Sequence, residues 1–275
     1  MRGSGDDPLW LGACRRACRR IAGELAGLDP AARRERLGAG AGGDTTLRVD
    51  RMAEDIVIAE LADTGLPFLL ISEEAGERPV NGGGPTVVVV DPIDGSLNAG
   101  RGMTPFSTSI AVASGRTMAD VTLGLVHDHG TGEEFLALRG AGAAVDGLPV
   151  RPPVSTGLEL VAVEGALPRR IAHAAGVFEG RVGRFRAVGS LALSLCYAAA
   201  GRCDAMVGLG PGRPVDVAAA QLFALEAGML VGMPGQEDLA GSPLDVTTHR
   251  HIVAARDEPA LALMRAALPP AGARG

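Results

Sequence analysis

The chain has 275 residues, 47% of them hydrophobic and 21% charged, which suits one large domain or two modest ones with a sizeable core. A net charge of −6 argues against a nucleic-acid binder that relies on an overall basic surface, while small phosphorylated ligands remain compatible. No apolar run reaches the ~18 residues of a membrane span, and Met-Arg-Gly-Ser-Gly-Asp-Asp at the start has no secretory pattern, so a soluble cytoplasmic protein is expected.

In chain order, residues 8–27 read as an amphipathic helix with Arg15, Arg16, Arg19 and Arg20 along a solvated polar side. Cys14 and Cys18 lie on that helix and Cys196 and Cys203 far away, too scattered for a disulfide framework and without a partner at zinc spacing. They read as ordinary reduced, buried thiols. Residues 37–46 (LGAGAGGDTT) are glycine-rich with little structural preference, and a helix follows over about Asp50 to Asp63. A strand is expected near 68–72, a mobile linker over ERPVNGGG, and a strand at 86–90.

Residues 106–113 and 121–127 alternate like strands, and Asp128-His129-Gly130-Thr131-Gly132 reads as a hairpin turn into a strand at 133–138. His127 and His129 form an H-x-H with no third ligand nearby in sequence, so the turn reading is preferred to a metal site. The Gly- and Pro-rich stretch 139–157 marks a boundary between an N-terminal α+β half (1–150) and a C-terminal α/β half (151–275). The second half alternates elements at 159–163, 168–175, 184–188, 190–201, 204–208, 215–228, 251–255 and 257–267, consistent with an α/β or α+β layered fold.

The chemistry concentrates where Val87–Val90 end in Asp91-Pro92-Ile93-Asp94-Gly95-Ser96. Pro92 biases Asp91 toward an extended backbone, and Gly95 permits a turn that other residues resist. Two carboxylates then converge at a strand end. Ile71-Ser72-Glu73-Glu74 is a second apolar run ending in carboxylates, and Asp216 supplies another acid at a helix start. Oxygen donors without His or Cys favour Mg²⁺, with Mn²⁺ possible, over zinc. In a two-ion arrangement, with ions about 3.5–4 Å apart, Asp91 would bridge, Glu73 would complete one ion, and Asp94 and Asp216 the other. Gly95 and Ser96 open a helical segment whose amides suit phosphate oxygens. Asp50, at a helix start, is placed to pair with Ser96 as a proton acceptor.

The string Asp91-Pro92-Ile93-Asp94-Gly95-Ser96-Leu97-Asn98 resembles the signature DP-(I/L)-DG-(T/S)-x-N of the inositol monophosphatase superfamily of lithium-sensitive phosphatases. Ser72-Glu73-Glu74, Arg48-Val49-Asp50, Gly189–Leu193 and Val215–Ala219 running into Leu225–Gly228 extend the likeness over about residues 40–260. It implies an αβαβα five-layer sandwich, usually dimeric, and two or three Mg²⁺ ions. The implied ligands are Glu73, Asp91, the Ile93 carbonyl, Asp94 and Asp216, with Asp50, Ser96 and Glu73 catalytic and Gly95 and Ser96 contacting phosphate. The glycine-rich loop and Arg186-Ala187-Val188-Gly189-Ser190 are most similar to the archaeal and bacterial branch acting on inositol monophosphates and fructose 1,6-bisphosphate. In that branch Asp44 would serve a third metal, and Arg186, Gly189, Ser190 and Leu191 would line the substrate.

Val215 stands where a tryptophan is common in the family. The glutamate with which animal-type members bind inositol hydroxyls falls near Gly208 or Leu209, neither with a polar side chain. A phosphatase for 3′-phosphoadenosine 5′-phosphate, histidinol phosphate or a specialised metabolite is the alternative substrate reading. The 3% aromatic content offers few surfaces for stacking adenine. A non-catalytic regulatory protein on this fold would be expected to have lost ligands, and none is lost.

Overall fold

The computed structural model describes residues 6–41, 43, 45–150, 157–234 and 239–269. The first half carries α1 (Asp7–Gly27), α2 (Pro30–Arg33), β1 (Arg36–Ala39), β2 (Thr45–Leu47), α3 (Arg48–Ala62), β3 (Phe68–Ser72), β4 (Gly76–Val80), β5 (Val87–Asp94) and α4 (Ser96–Arg101). Next come β6 (Ser107–Ala113), β7 (Val121–Asp128), β8 (Glu134–Leu138), β9 (Gly142–Val145) and β10 (Leu148–Pro149). The second half runs β11 (Leu160–Glu164), α5 (Pro168–Phe178), β12 (Arg184–Arg186), α6 (Leu191–Ala199), β13 (Ala205–Gly208) and α7 (Pro214–Glu226). It ends with β14 (Leu230–Gly232), β15 (Val253–Ala255) and α8 (Glu258–Ala266).

An eight-stranded sheet has the order β10-β9-β8-β7-β6-β5-β3-β4, and a five-stranded sheet the order β12-β11-β13-β15-β14. Apolar side chains sort these sheets and the helices into five layers. Trp10, Ile21, Val57 and Leu61 of α1 and α3 share a core with Val88 and Val90 of β5. Val87 and Val89, on the opposite face, join Leu195 of α6, Phe223 of α7 and Met206 of β13. Val207 of β13 faces Phe178 of α5 and Met264 of α8. The result is the αβαβα sandwich. With both faces covered, β5 reads as an unbroken apolar run rather than an alternating one.

Two aromatic contacts pin helices to the large sheet. Trp10 meets Phe68 edge-on at 5.3 Å, and Phe135 meets Phe223 edge-on at 5.5 Å. Helix α7 crosses β7 so tightly that a Cβ on Gly124 would lie 2.5 Å from the Ala219 carbonyl oxygen. Only hydrogen fits there.

Several expectations need correction. ERPVNGGG is no mobile linker: its first part is β4, paired antiparallel with β3 from Phe68–Val80 to Ser72–Gly76. The glycine-rich 37–46 stretch contributes β1 and β2, paired with each other. Part of the 139–157 stretch is strand, β9 and β10. In each case cross-strand pairing orders residues whose own propensity is weak. The polar side of α1 is more engaged than a merely solvated face: Arg15 pairs with Glu134, and Arg16 and Arg20 pair with Glu60. All four cysteines are buried free thiols.

Candidate active site

Strands β3 and β5 run parallel, with Ser72 opposite Val90 and the Glu73 amide donating to the Val90 carbonyl at 3.2 Å. Glu73, just past β3, and Asp91, near the C-terminal end of β5, therefore lie side by side. Asp91 continues the Val87–Val89 face, toward the middle helices. From that layer Asp216, in the first turn of α7, meets them. Carboxylate oxygens of Glu73, Asp91 and Asp216 lie within 4.8 Å of one another.

Burial pushes the Asp91 carboxyl well up, with Glu73, Asp94 and Asp216 adding to the effect and Arg213 opposing it. Asp216 is pushed up by the same cause, burial, against Arg213. Asp91 Oδ1 is buried with no hydrogen-bond partner among the described residues. An orphaned buried carboxylate oxygen is costly unless something binds it. Three converging oxygen donors with that orphan fit a hard divalent cation of the Mg²⁺ or Mn²⁺ type.

Asp94 sits differently. A register shift in the pairing of β5 with β6 falls between Asp91 and Asp94, so the usual alternation is broken. The Asp94 carboxylate accepts from Ser190 Oγ at 2.5 Å, the Ala192 amide at 2.7 Å and the Leu191 amide at 3.1 Å. It ties the end of β5 to the N-terminus of α6, where orphan amides favour an anion. Each carboxylate oxygen has two acceptor sites, so Oδ1, with one donor, keeps capacity for a further partner. Gly95 turns the chain at φ +98°, and a Cβ there would come within 2.8 Å of the Gly189 carbonyl oxygen.

Asp50, in the first turn of α3, accepts from the Leu47 amide at 2.8 Å through Oδ2, while Oδ1 is buried without a hydrogen-bond partner. Burial pushes its carboxyl up to about 7; the Leu47 amide and the nearby Ser96 hydroxyl oppose the rise, and Glu74 and Glu73 add to it. Ser96 Oγ donates to the Ile93 carbonyl at 2.9 Å. Asp44 lies outside the described residues.

Beside the acids opens a cavity of about 1240 Å³ whose lining includes Asp94, Asp216, Arg170, Arg186, Gly189 and Leu191. Ser190 is buried behind it on Asp94. Glu164, also in the lining, accepts from the Val188 and Gly189 amides and from Ser194 Oγ at 2.6 Å, holding the wall in place.

Residues 11–268 match the sequence pattern of the inositol monophosphatase family. The chain belongs to the inositol monophosphatase family. It is therefore a phosphatase, a hydrolase. A fructose-1,6-bisphosphatase/inositol-1-monophosphatase of Methanothermobacter thermautotrophicus is 34% identical over 230 residues, covering 78% of this chain and 80% of the relative. One of the same description from Archaeoglobus fulgidus is 30% identical, covering 88% and 93%. Nus factor SuhB of Escherichia coli is 34% identical over 197 residues, covering 68% and 71%. Among solved structures, an inositol monophosphatase–fructose 1,6-bisphosphatase superposes with a TM-score of 0.82 at 26% identity, covering 94% and 99%.

Against this family background, the structure brings together Glu73, Asp91 and Asp216, and sets Asp50 with Ser96 and Asp94 with Ser190 and Leu191. His127 and His129 belong to no such group among the described residues. His129 instead contacts Thr108 Oγ1 at 2.8 Å, and Thr108 donates to the Pro92 carbonyl at 2.8 Å. Thr108 has one proton and gives it to Pro92, so His129 donates through Nε2. The sequence reading missed this support of the irregular Asp91–Asp94 end of β5, and it missed Arg213. Arg213 was findable as a cation three residues before Asp216, at the spacing that meets on a helix.

Proposed function

We propose that the chain is a metal-dependent phosphatase, using Mg²⁺ or Mn²⁺, that hydrolyses a small phosphate monoester. Inositol monophosphate, fructose 1,6-bisphosphate or a related sugar or cyclitol phosphate is the substrate class. The observation that carries this reading is the convergence of Glu73, Asp91 and Asp216 beside the large cavity. The names of the archaeal relatives support the substrate class.

Glu73, Asp91 and Asp216 would hold the ion, joined by Asp94 and the Ile93 carbonyl. When bound, it would supply Lewis-acid polarisation of phosphoryl oxygens and a lowered pKa for a water. Asp50, a buried carboxylate with an unpartnered Oδ1 near Ser96, would accept the proton of that water. Ser96 orients the same water from the start of α4, with the Gly95 turn alongside for the phosphate. Arg186, Gly189 and Leu191 line the same cavity and would meet the leaving alcohol. A homodimer in the cytoplasm belongs to the same reading.

The test is phosphate release in Mg²⁺ from inositol 1-phosphate, fructose 1,6-bisphosphate, 3′-phosphoadenosine 5′-phosphate and histidinol phosphate, each with and without lithium. Metal-dependent, lithium-sensitive release favouring the first two is expected. Preference for either of the last two would overturn the substrate class.

A further inference from the structure

Arg213 is 7% exposed and sits inside the acidic cluster. Its Nη2 donates to Glu73 Oε1, its Nε donates to Asp216 Oδ1 at 3.2 Å, and its backbone amide donates to Asp216 Oδ2 at 2.8 Å. One guanidinium thus bridges two of the three carboxylates whose oxygens converge. The planar fork of arginine is the side chain best shaped for this.

We propose that Arg213 is an internal counter-cation that competes with divalent metal for Glu73 and Asp216. The inference rests on the reading of this cluster as the metal site. Two facts drive it. The guanidinium and an ion would draw on the same oxygens, so each must weaken the other's hold, and the coupling is reciprocal. The cluster is also buried, where like charges are screened least. Arg213 then does two things: it keeps the carboxylates gathered when metal is scarce, and it sets how much metal is needed to displace it from Glu73. The alternative, a partner that orients the ligands for the ion, makes the opposite prediction, because losing such a group weakens metal binding.

The experiment measures Mn²⁺ affinity by titration with EPR detection of free ion, in wild type, Arg213→Gln, Arg213→Lys and Asp91→Asn. Melting temperatures are taken in EDTA and in saturating Mn²⁺. Arg213→Gln should bind Mn²⁺ more tightly, on the order of tenfold, within the range typical of coupled binding. In EDTA it should melt roughly 5–15 °C lower, as expected when a buried pair loses one partner, and Mn²⁺ should shrink that loss. Arg213→Lys keeps the charge but not the fork, and should bind with intermediate affinity. It decides the matter if the Gln variant is too unstable to titrate. Unchanged or weaker Mn²⁺ binding in the variant that is titrated overturns the competition. Wild-type binding that Asp91→Asn leaves intact overturns the metal-site reading and the proposal together; binding lost in Asp91→Asn but not tightened at Arg213 overturns the proposal alone.

Discussion

Asp94 caps α6, and the proposed function adds a place at the metal site; substitution separates the two. Replacing it by Ala removes the acceptor for Ser190 Oγ and for the Leu191 and Ala192 amides. Ser190 has Ser107 Oγ at 3.3 Å as a second partner, but the two amides belong to the start of α6 and have no other acceptor in a helix. Each buried donor left unmade costs about 1–3 kcal/mol. Relief of the burial that raises the Asp94 carboxyl offsets part of this. A net loss of about 2–4 kcal/mol follows, or roughly 5–15 °C in Tm for a chain of this size. Asp94→Asn keeps one acceptor oxygen and the volume, so it should lose about half as much. Its turnover should nevertheless fall by about 100-fold or more, the scale for losing a group that manages charge in the transition state. Urea denaturation and phosphate release on the three proteins check both roles. Wild-type stability in Asp94→Ala would refute the capping argument. Wild-type turnover with unaltered metal dependence in Asp94→Asn would refute the site role.

Two further expectations concern the frame. Gly124→Ala should destabilise by about 1–3 kcal/mol, since a Cβ would press on Ala219 at 2.5–3.1 Å and α7 must shift; unchanged denaturation midpoints would show that the helix yields freely. Burial, with His127 beside it, lowers the His129 imidazole from 6.5 to about 3. Between those values the unfolded chain takes up a proton that the folded one refuses, so this group's stability is complete above pH 6.5 and is lost as pH falls. At about 1.4 kcal/mol per unit, the stability of wild type relative to His129→Asn should fall by roughly 2 kcal/mol between pH 8 and pH 5. A pH-independent difference would show that His129 charges freely in the fold.

Much of the site was legible because it is written in contiguous sequence. Val87–Val90 running into Asp91-Pro92-Ile93-Asp94-Gly95 reads as a strand ending at residue 90; β5 continues to Asp94, and the turn comes at Gly95, whose positive φ and close approach to Gly189 suit glycine. The helices α1, α3 and α7 and the strand β3 fell close to their expected bounds. What stayed hidden depends on distant partners. Gly76–Val80 is a strand because β3 lies beside it, whatever Gly and Pro prefer. Asp94 caps a helix that begins 97 residues later, and Arg213 reaches Glu73 across 140 residues. No local pattern records such meetings. The His129–Thr108–Pro92 chain was hidden for the same reason: each member alone reads as a turn or strand residue.

The central claim is that Glu73, Asp91 and Asp216 form a metal-dependent phosphatase site. Asp91 tests it most directly, since it is the 2% exposed member with an unpartnered oxygen. The measurement is phosphate release from inositol 1-phosphate and fructose 1,6-bisphosphate by wild type and Asp91→Asn, in Mg²⁺ and in EDTA. Release by wild type in Mg²⁺, abolished by EDTA and by Asp91→Asn in a folded protein, is the predicted result. Release that survives either the chelator or the substitution would contradict it.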